Sequence, residues 1–221
     1  MEISKEQYAL IEKHLDLVLQ ANKSINLTSI TNEDEAKVLH IEDSLAGIPE
    51  LENVEGEIVD MGSGGGFPGI PLSIALNKNF TLVETVGKKA DCLKTFISYL
   101  CLESQISVSN KRLEEIAVER PNFYSAATAR ALSSLPSLME LAAPLLKLNG
   151  LLVCYKGENF KDELDASMNI IDKLGFEFVS NREYSLHNDI KHRIITFKKG
   201  KEASVKLPRK AGFAQKKPFL K

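Results

Sequence analysis

Two hydrophobic periodicities divide the chain. Over residues 4–21, Tyr8, Ile11, Leu15 and Val18 recur at the spacing of an amphipathic helix, and Ser4 with Gln7 forms a capping-box signature at its start. Asn32 followed by Glu35 marks a second helix start, carried on by Val38, Leu39, Ile41 and Leu45 until Gly47 and Pro49, which are expected to stop it. Neither helix is expected to belong to the core that follows them.

From residue 57 the pattern changes to short apolar runs separated by helical stretches, the signature of a parallel sheet with crossover helices. Strands are expected at 58–61, 80–84, 105–108, 124–127 and 151–155, and helices at 71–76, 88–102, 113–118, 134–146 and 160–174. Gly175 is the expected left-handed stop of the last helix. The runs 176–184 and 192–197 have too short a connection for a parallel crossover, so they should pair as an antiparallel hairpin at the end of the sheet. The chain then reads as an N-terminal helical extension (1–50), an α/β core (51–200) and a basic C-terminal tail (201–221) expected to pack on or near the core.

With 221 residues, 43% of them hydrophobic, the chain can bury one core of ordinary size. It has no apolar run long enough to span a bilayer, and its first residues are charged where a secretion signal is apolar. A soluble, cytoplasmic protein is the expectation. Cys92, Cys101 and Cys154 are odd in number and lack the C-x-x-C spacing of a zinc site; all three are expected to be reduced core residues, with no metal bound.

The net charge of −2 hides a division along the chain. Residues 198–221 hold nine lysines and arginines against the single acid Glu202, a balance of +8, while the residues before them hold 19 basic side chains against 29 acidic. Such a tail is either a solvated extension or a phosphate-binding arm.

Asp60, Gly62, Gly64 and Gly66 follow an apolar strand and precede a helix, the setting in which glycines let the backbone approach a ligand closely. Glu84 ends the second strand, 24 residues after Asp60, where a carboxylate can accept both hydroxyls of a ribose. Together they point to an adenosyl-type ligand. Dinucleotide oxidoreduction competes for this geometry, but it usually calls for a second nucleotide-binding half downstream, and here a hairpin follows the fifth strand instead. That hairpin is characteristic of class I S-adenosylmethionine-dependent methyltransferases, which have a Rossmann-like, mostly parallel seven-stranded sheet with helices on both faces.

The chain resembles one family in particular, ribosomal RNA small subunit methyltransferase G, also called glucose-inhibited division protein B. The resemblance spans nearly the whole sequence. It is carried by Asn26-Leu27-Thr28, by His40-x-x-Asp43-Ser44-Leu45, by Asp60-x-Gly62-Ser63-Gly64-x-Gly66-Phe67-Pro68-Gly69-Ile70-Pro71-Leu72 and by Lys88-Lys89. It continues through Arg112-x-Glu114, Ala129-Arg130-Ala131-x-x-Ser134-Leu135, Lys156-Gly157 and Pro208-Arg209-Lys210-x-Gly212. The Phe67-Pro68-Gly69 extension and the Ala-Arg-Ala-x-x-Ser-Leu run are the most specific.

The resemblance implies S-adenosylmethionine as cofactor, with S-adenosylhomocysteine as product, and contacts at Gly62, Phe67, Glu84, Thr85, Val86, Leu113, Glu114 and Arg130. Asp60, Ser63, Gly64 and Gly66 complete the expected cofactor set: the loop amides would receive the methionyl carboxylate, Glu84 the ribose, and Leu113 with Glu114 the adenine. Arg130 and Lys156 are expected to face one crevice as positioning residues, with Glu84 or Glu114 as the alternative partner of Arg130. The implied substrate is a guanine N7 in 16S ribosomal RNA of the small subunit, with no membrane and no obligatory protein partner; another RNA, a protein or a small molecule is the alternative.

The amine-methylating tetrapeptide Asn/Asp-Pro-Pro-Tyr/Phe is missing after the fourth strand, where Thr128-Ala129-Arg130 stands, and so is a Pro-Cys nucleophile. Guanine N7 needs neither, so no general base is expected. His40, Asp43, Arg112, Lys156, Arg193, Arg209, Lys210, Lys216 and Lys217 are the candidate RNA contacts. Replacing Arg130 is expected to harm methyl transfer more than folding. Removal of residues 206–221 is expected to weaken RNA binding and to leave cofactor affinity intact.

Overall fold

The computed structural model describes residues 3–187 and 189–219. Lys221, counted in the tail charge, lies outside them. Helix α1 (Lys5–Asn22) starts at the expected capping box: Ser4 Oγ accepts the Gln7 N–H, and Gln7 Oε1 accepts the Ser4 N–H. Ile11, Leu15 and Val18 are buried as expected, but Tyr8 is exposed, and the fourth buried position on this helix is His14.

Asn32 caps the next helix through the Glu35 N–H. The segment beyond this cap is not one continuous α-helix. α2 (Glu33–Ala36) widens into a π-helical turn at Lys37–Glu42 before tightening into α3 (Asp43–Leu45). The segment ends at Leu45, before Gly47 as expected; Pro49 then sits in the first turn of a further helix, α4 (Ile48–Leu51), where its missing N–H costs nothing.

The core alternates as expected: β1 (Ile58–Met61), α5 (Gly69–Leu76), β2 (Phe80–Val83), α6 (Gly87–Tyr99), β3 (Ile106–Ser109), α7 (Leu113–Glu119), β4 (Tyr124–Arg130), α8 (Leu135–Ala142) and β5 (Leu146–Lys156). After β5 come α9 (Lys161–Met168), α10 (Ile171–Leu174), β6 (Phe176–Ser185), β7 (Lys191–Lys199) and α11 (Phe213–Lys216). Pro144 explains why α8 stops short of the expected 146: proline has no N–H to continue the ladder, and the chain turns into β5. The stretch 160–174 breaks at Ile170, which is fully buried, and Gly175 closes it at φ +79 as expected.

The sheet order is β3-β2-β1-β4-β5-β7-β6, with β1 to β5 parallel and β7 antiparallel to both of its neighbours. Because strand side chains alternate between faces, the sheet divides two cores. Ile58, Phe80, Leu82, Ala126, Val153 and Ile194 pack with residues of α1, α5 and α6, whereas Val59, Val83, Ala127, Leu152, Ile195 and Phe197 pack with residues of α7, α8 and α10. Cys154 lies in the second core, Cys92 is half-buried, and Cys101 is exposed in a turn at φ +56, contrary to the expectation that all three are core residues.

The tail packs on the molecule. Lys199, one of its nine counted charges, is fully buried, donating to Asn122 Oδ1 at 2.7 Å and the Leu146 carbonyl at 3.0 Å and pairing with Glu202. The Gly175 carbonyl accepts N–H groups from Gly200 and Lys201, and a Cβ on Gly175 would lie 2.2 Å from the Lys201 carbonyl oxygen. Gly175→Ala is therefore expected to lower unfolding free energy by about 1–3 kcal/mol, from the left-handed φ and the clash together. Urea unfolding measures this, and wild-type stability in the variant would refute the close crossing.

Candidate active site

The chain turns sharply after β1 into a loop held from below by Asp60. Its Oδ1 accepts the Thr128 hydroxyl at 2.8 Å and its Oδ2 the Gly69 N–H at 3.2 Å, so one carboxylate joins β1, β4 and the start of α5. Burial raises the Asp60 pKa, against the opposing hydrogen bonds from Thr128, Ser63 and Gly69. A Cβ on Gly69 would lie 2.8 Å from Asp60 Oδ2 and 2.4 Å from Leu82, which explains glycine there. Asp60 thus shapes the loop but is not among the residues lining the cavity, and neither are Gly66 and Val86.

Above the loop lies a cavity of about 790 Å³. Gly62, Ser63, Gly64, Phe67, Glu84, Thr85, Leu113, Glu114 and Arg130, all expected cofactor contacts, do line it. Gly64 has φ +53, and nothing among the described residues lies within 4 Å of where its Cβ would be. The Glu84 carboxylate is fixed by two backbone donors, the Gly64 N–H at 3.1 Å and the Val86 N–H at 2.8 Å. Lys89 and Arg112 add two cations to the lining.

The N-terminal segment supplies the opposite wall, which corrects the expectation that its helices stand apart from the core. Val18, Thr28, His40 and Asp43 all line the cavity. His14 reaches the glycine loop with Nε2 2.9 Å from the Gly65 carbonyl; a carbonyl only accepts, so Nε2 carries the proton, and Nδ1 has no hydrogen-bond partner among the described residues. Burial pushes its pKa down to about 3. Phe67 lies between two imidazoles, with centroids 4.6 Å from His14 and 4.6 Å from His40, the latter stacked at 11°.

The acid at the centre of this wall is Asp43, and it is 3% exposed. Its Oδ2 accepts from Arg130 Nη1 at 2.8 Å, and its Oδ1 accepts the Tyr184 hydroxyl at 2.6 Å and His192 Nδ1–H at 2.7 Å. Burial acts to raise the Asp43 pKa, but the bond from His192, the Arg130 charge and the bond from Tyr184 outweigh it and hold the carboxyl below its ordinary range. His192 is raised in turn, chiefly by its bond to Asp43.

Arg130 also donates to the Leu39 carbonyl at 2.7 Å and lies 3.2 Å from His40 Nδ1. Arginine has no acceptor, so His40 Nδ1 is unprotonated and Nε2–H faces Thr28 Oγ1 at 2.9 Å. Burial, then the Arg130 charge, lowers His40 to about 4. The alternative partner for Arg130 was Glu84 or Glu114; the structure pairs it with Asp43 instead. The expected functional replacement of Arg130 is also changed, since removing one partner of a buried pair costs about 3–5 kcal/mol by itself.

Lys156 does not share this crevice. Its Nζ donates to the Ser133 carbonyl at 2.8 Å and Glu163 at 2.7 Å, outside the cavity lining. Arg193 binds Asn181 and Glu183 and lies over the Phe160 ring, again outside the cavity. Arg209 forms a bidentate pair with Glu140, while Lys210, Lys216 and Lys217 are exposed. Sequence reasoning missed His14, Thr28, Lys89, His192 and Gln215. Lys89 and Thr28 had a signal, in the Lys88-Lys89 and Asn26-Leu27-Thr28 motifs; His14, His192 and Gln215 are joined to the site only by tertiary contacts.

This sheet order, with a glycine loop and a strand-end carboxylate facing one cavity beyond the parallel strands, defines the class I methyltransferase fold. The chain belongs to the GidB family, rRNA small subunit methyltransferase G, whose model matches residues 7–190. Ribosomal RNA small subunit methyltransferase G of Alkaliphilus metalliredigens is 37% identical over 222 residues, 98% of this chain and 92% of that protein. The namesake of Desulfitobacterium hafniense is 35% identical, over 100% of this chain and 92% of that one. Among solved structures, an O-methyltransferase from Bacillus cereus in complex with SAH superposes with TM-score 0.61 at 17% identity, covering 85% of this chain and 91% of that one. That likeness supports the fold alone. No helix among the described residues is long and apolar enough to cross a membrane.

Two neutral buried histidines set a pH dependence. His14 and His40 have folded pKa values below the unfolded value of about 6.5, so stability is full above that pH and falls as the unfolded chain takes protons the fold refuses. Each contributes a slope of up to about 1.4 kcal/mol per pH unit between pH 6.5 and its folded pKa. His192, raised, acts oppositely: its contribution is full below the unfolded pKa and is lost as pH rises through the folded one. Urea unfolding at stepped pH should show His14→Gln, which keeps a donor for Gly65, removing about half the acid-side slope; an unaltered slope would place the proton elsewhere.

Proposed function

We propose that the protein is an S-adenosylmethionine-dependent enzyme that methylates N7 of a guanine in 16S ribosomal RNA, working in the cytoplasm on the small subunit. The observation that carries the reading is the Gly62–Gly65 loop with Glu84 beside it, both lining one cavity, in a chain of this family. The residues present fit the cofactor. The space at Gly64 would be filled by any side chain, and Glu84, held by two N–H groups, presents a fixed carboxylate beside the loop. The loop would border the methionyl end rather than bind it through the expected amides, since the Gly62 and Ser63 N–H groups donate to the Val83 carbonyl and the Gly64 N–H to Glu84; Glu84 would hold the ribose hydroxyls, and Leu113 with Glu114 the base.

When bound, S-adenosylmethionine supplies a methyl group on a sulfonium centre. Guanine N7 brings an in-plane lone pair and no proton, so the protein needs only to align the partners and exclude water. The site suits that division of labour. Asp43 accepts from three donors, and His40 has its Nδ1 directed at Arg130, so both of these lining groups are already engaged. Phe67, fixed between His14 and His40, offers an apolar wall.

Lys89, Arg112 and the pinned Arg130 give the cavity a cationic rim suited to a phosphate backbone. The N7 edge of a paired guanine lies in the deep, narrow major groove of A-form RNA, so the target is a base in a loop or turned out of its stack.

Incubation with methyl-labelled S-adenosylmethionine and unmethylated small ribosomal subunits, followed by digestion of the RNA, is expected to yield labelled 7-methylguanosine. Label in another nucleoside, label in protein, or no label would each contradict the proposal.

A further inference from the structure

The basic tail was expected to be separable from cofactor binding, yet its docking places it at the cavity. Arg209 is the anchor: its guanidinium grips both oxygens of Glu140, which is 3% exposed, at 2.6 and 2.5 Å. It also donates to the Lys217 carbonyl at 2.7 Å and lies 4.0 Å over the Phe219 ring, drawing the chain back on itself. Ala214 is buried, and its carbonyl accepts the Ser137 hydroxyl of α8 at 2.8 Å. Between these fixed points, Gly212 at φ +78 turns its N–H onto Glu114 Oε1 at 2.7 Å. Gln215 then lines the same cavity as Arg112, Leu113 and Glu114.

We propose that residues 209–215 are a structural part of the ligand site, a strap forming the wall beside Leu113 and Glu114 against which the adenosyl end of the cofactor lies. Gln215 is the contacting residue, its amide offering both a donor and an acceptor to a purine edge. Arg209 is a positioning residue that acts through the strap. The proposal rests on the methyltransferase reading above. It separates two roles within one segment: the inward side belongs to the cofactor, while Lys210, Lys216 and Lys217 remain exposed on the outside.

The test is calorimetric titration of the full chain with S-adenosylhomocysteine, without RNA, alongside urea unfolding. Gln215→Ala, at an exposed position, is expected to bind about threefold to tenfold more weakly, the worth of one hydrogen bond, with an unchanged unfolding midpoint. Arg209→Met is expected to lose at least as much, and Arg209→Lys to recover part of it. The triple variant K210Q/K216Q/K217Q should bind as wild type does. Wild-type affinity in Gln215→Ala would overturn the strap, even if Arg209→Met fails to fold. A weakened triple variant would also overturn it, since charge rather than the wall would then govern uptake. A wild-type chain that takes up no S-adenosylhomocysteine would instead defeat the methyltransferase reading, and the strap with it.

Discussion

The structure depends on how it satisfies one buried charge, the carboxylate of Asp43. An ion of this kind is tolerated in an interior only when paired and hydrogen-bonded. Its three donors come from the far side of the sequence: Arg130 from β4, Tyr184 from β6 and His192 from β7. Satisfying Asp43 therefore fixes the N-terminal segment against the ends of three strands. The cavity exists because of that closure, since one wall is the glycine loop on β1 and the other is the π-helical turn that carries His40.

The surrounding groups obey the same constraint. His40 is buried beside Arg130, which is committed to Asp43 and Leu39; burial first and the guanidinium charge second keep it neutral, with its lone pair toward the guanidinium. Neutral His40 then stacks on Phe67, and neutral His14 packs against it at a tilt. The result is a partly apolar pocket whose lining also includes Lys89 and Arg112. Such a site positions a nucleophile that has no proton to lose.

The sheet was largely legible in the sequence because strand alternation and turn residues are local signals. Ile58–Met61 matches its expected bounds, and Gly175 stops its helix, since both depend on nearest neighbours. The ends of α8 and β5 were misplaced although Pro144 was visible, because the apolar run past it fits a strand as well as a helix. Within the site, the Gly62–Gly64 loop and Glu84 were readable from spacing. Asp43 and Arg130 were both named, but not as a pair: 87 residues separate them, and no local pattern encodes that contact. The tail was read by its charge, whereas Lys199 and Arg209 are held by Asn122 and Glu140, partners that composition cannot reveal.

The claim that Asp43 and Arg130 work as one unit in building the active cavity is tested most directly by a double-mutant cycle on kcat/KM for methyl transfer, using Asp43→Asn and Arg130→Gln. Each single variant is expected to lose at least about tenfold, equivalent to about 1.4 kcal/mol, and the double variant to lose no more than the worse single one. Losses that simply multiply in the double variant would show two independent residues and contradict the account.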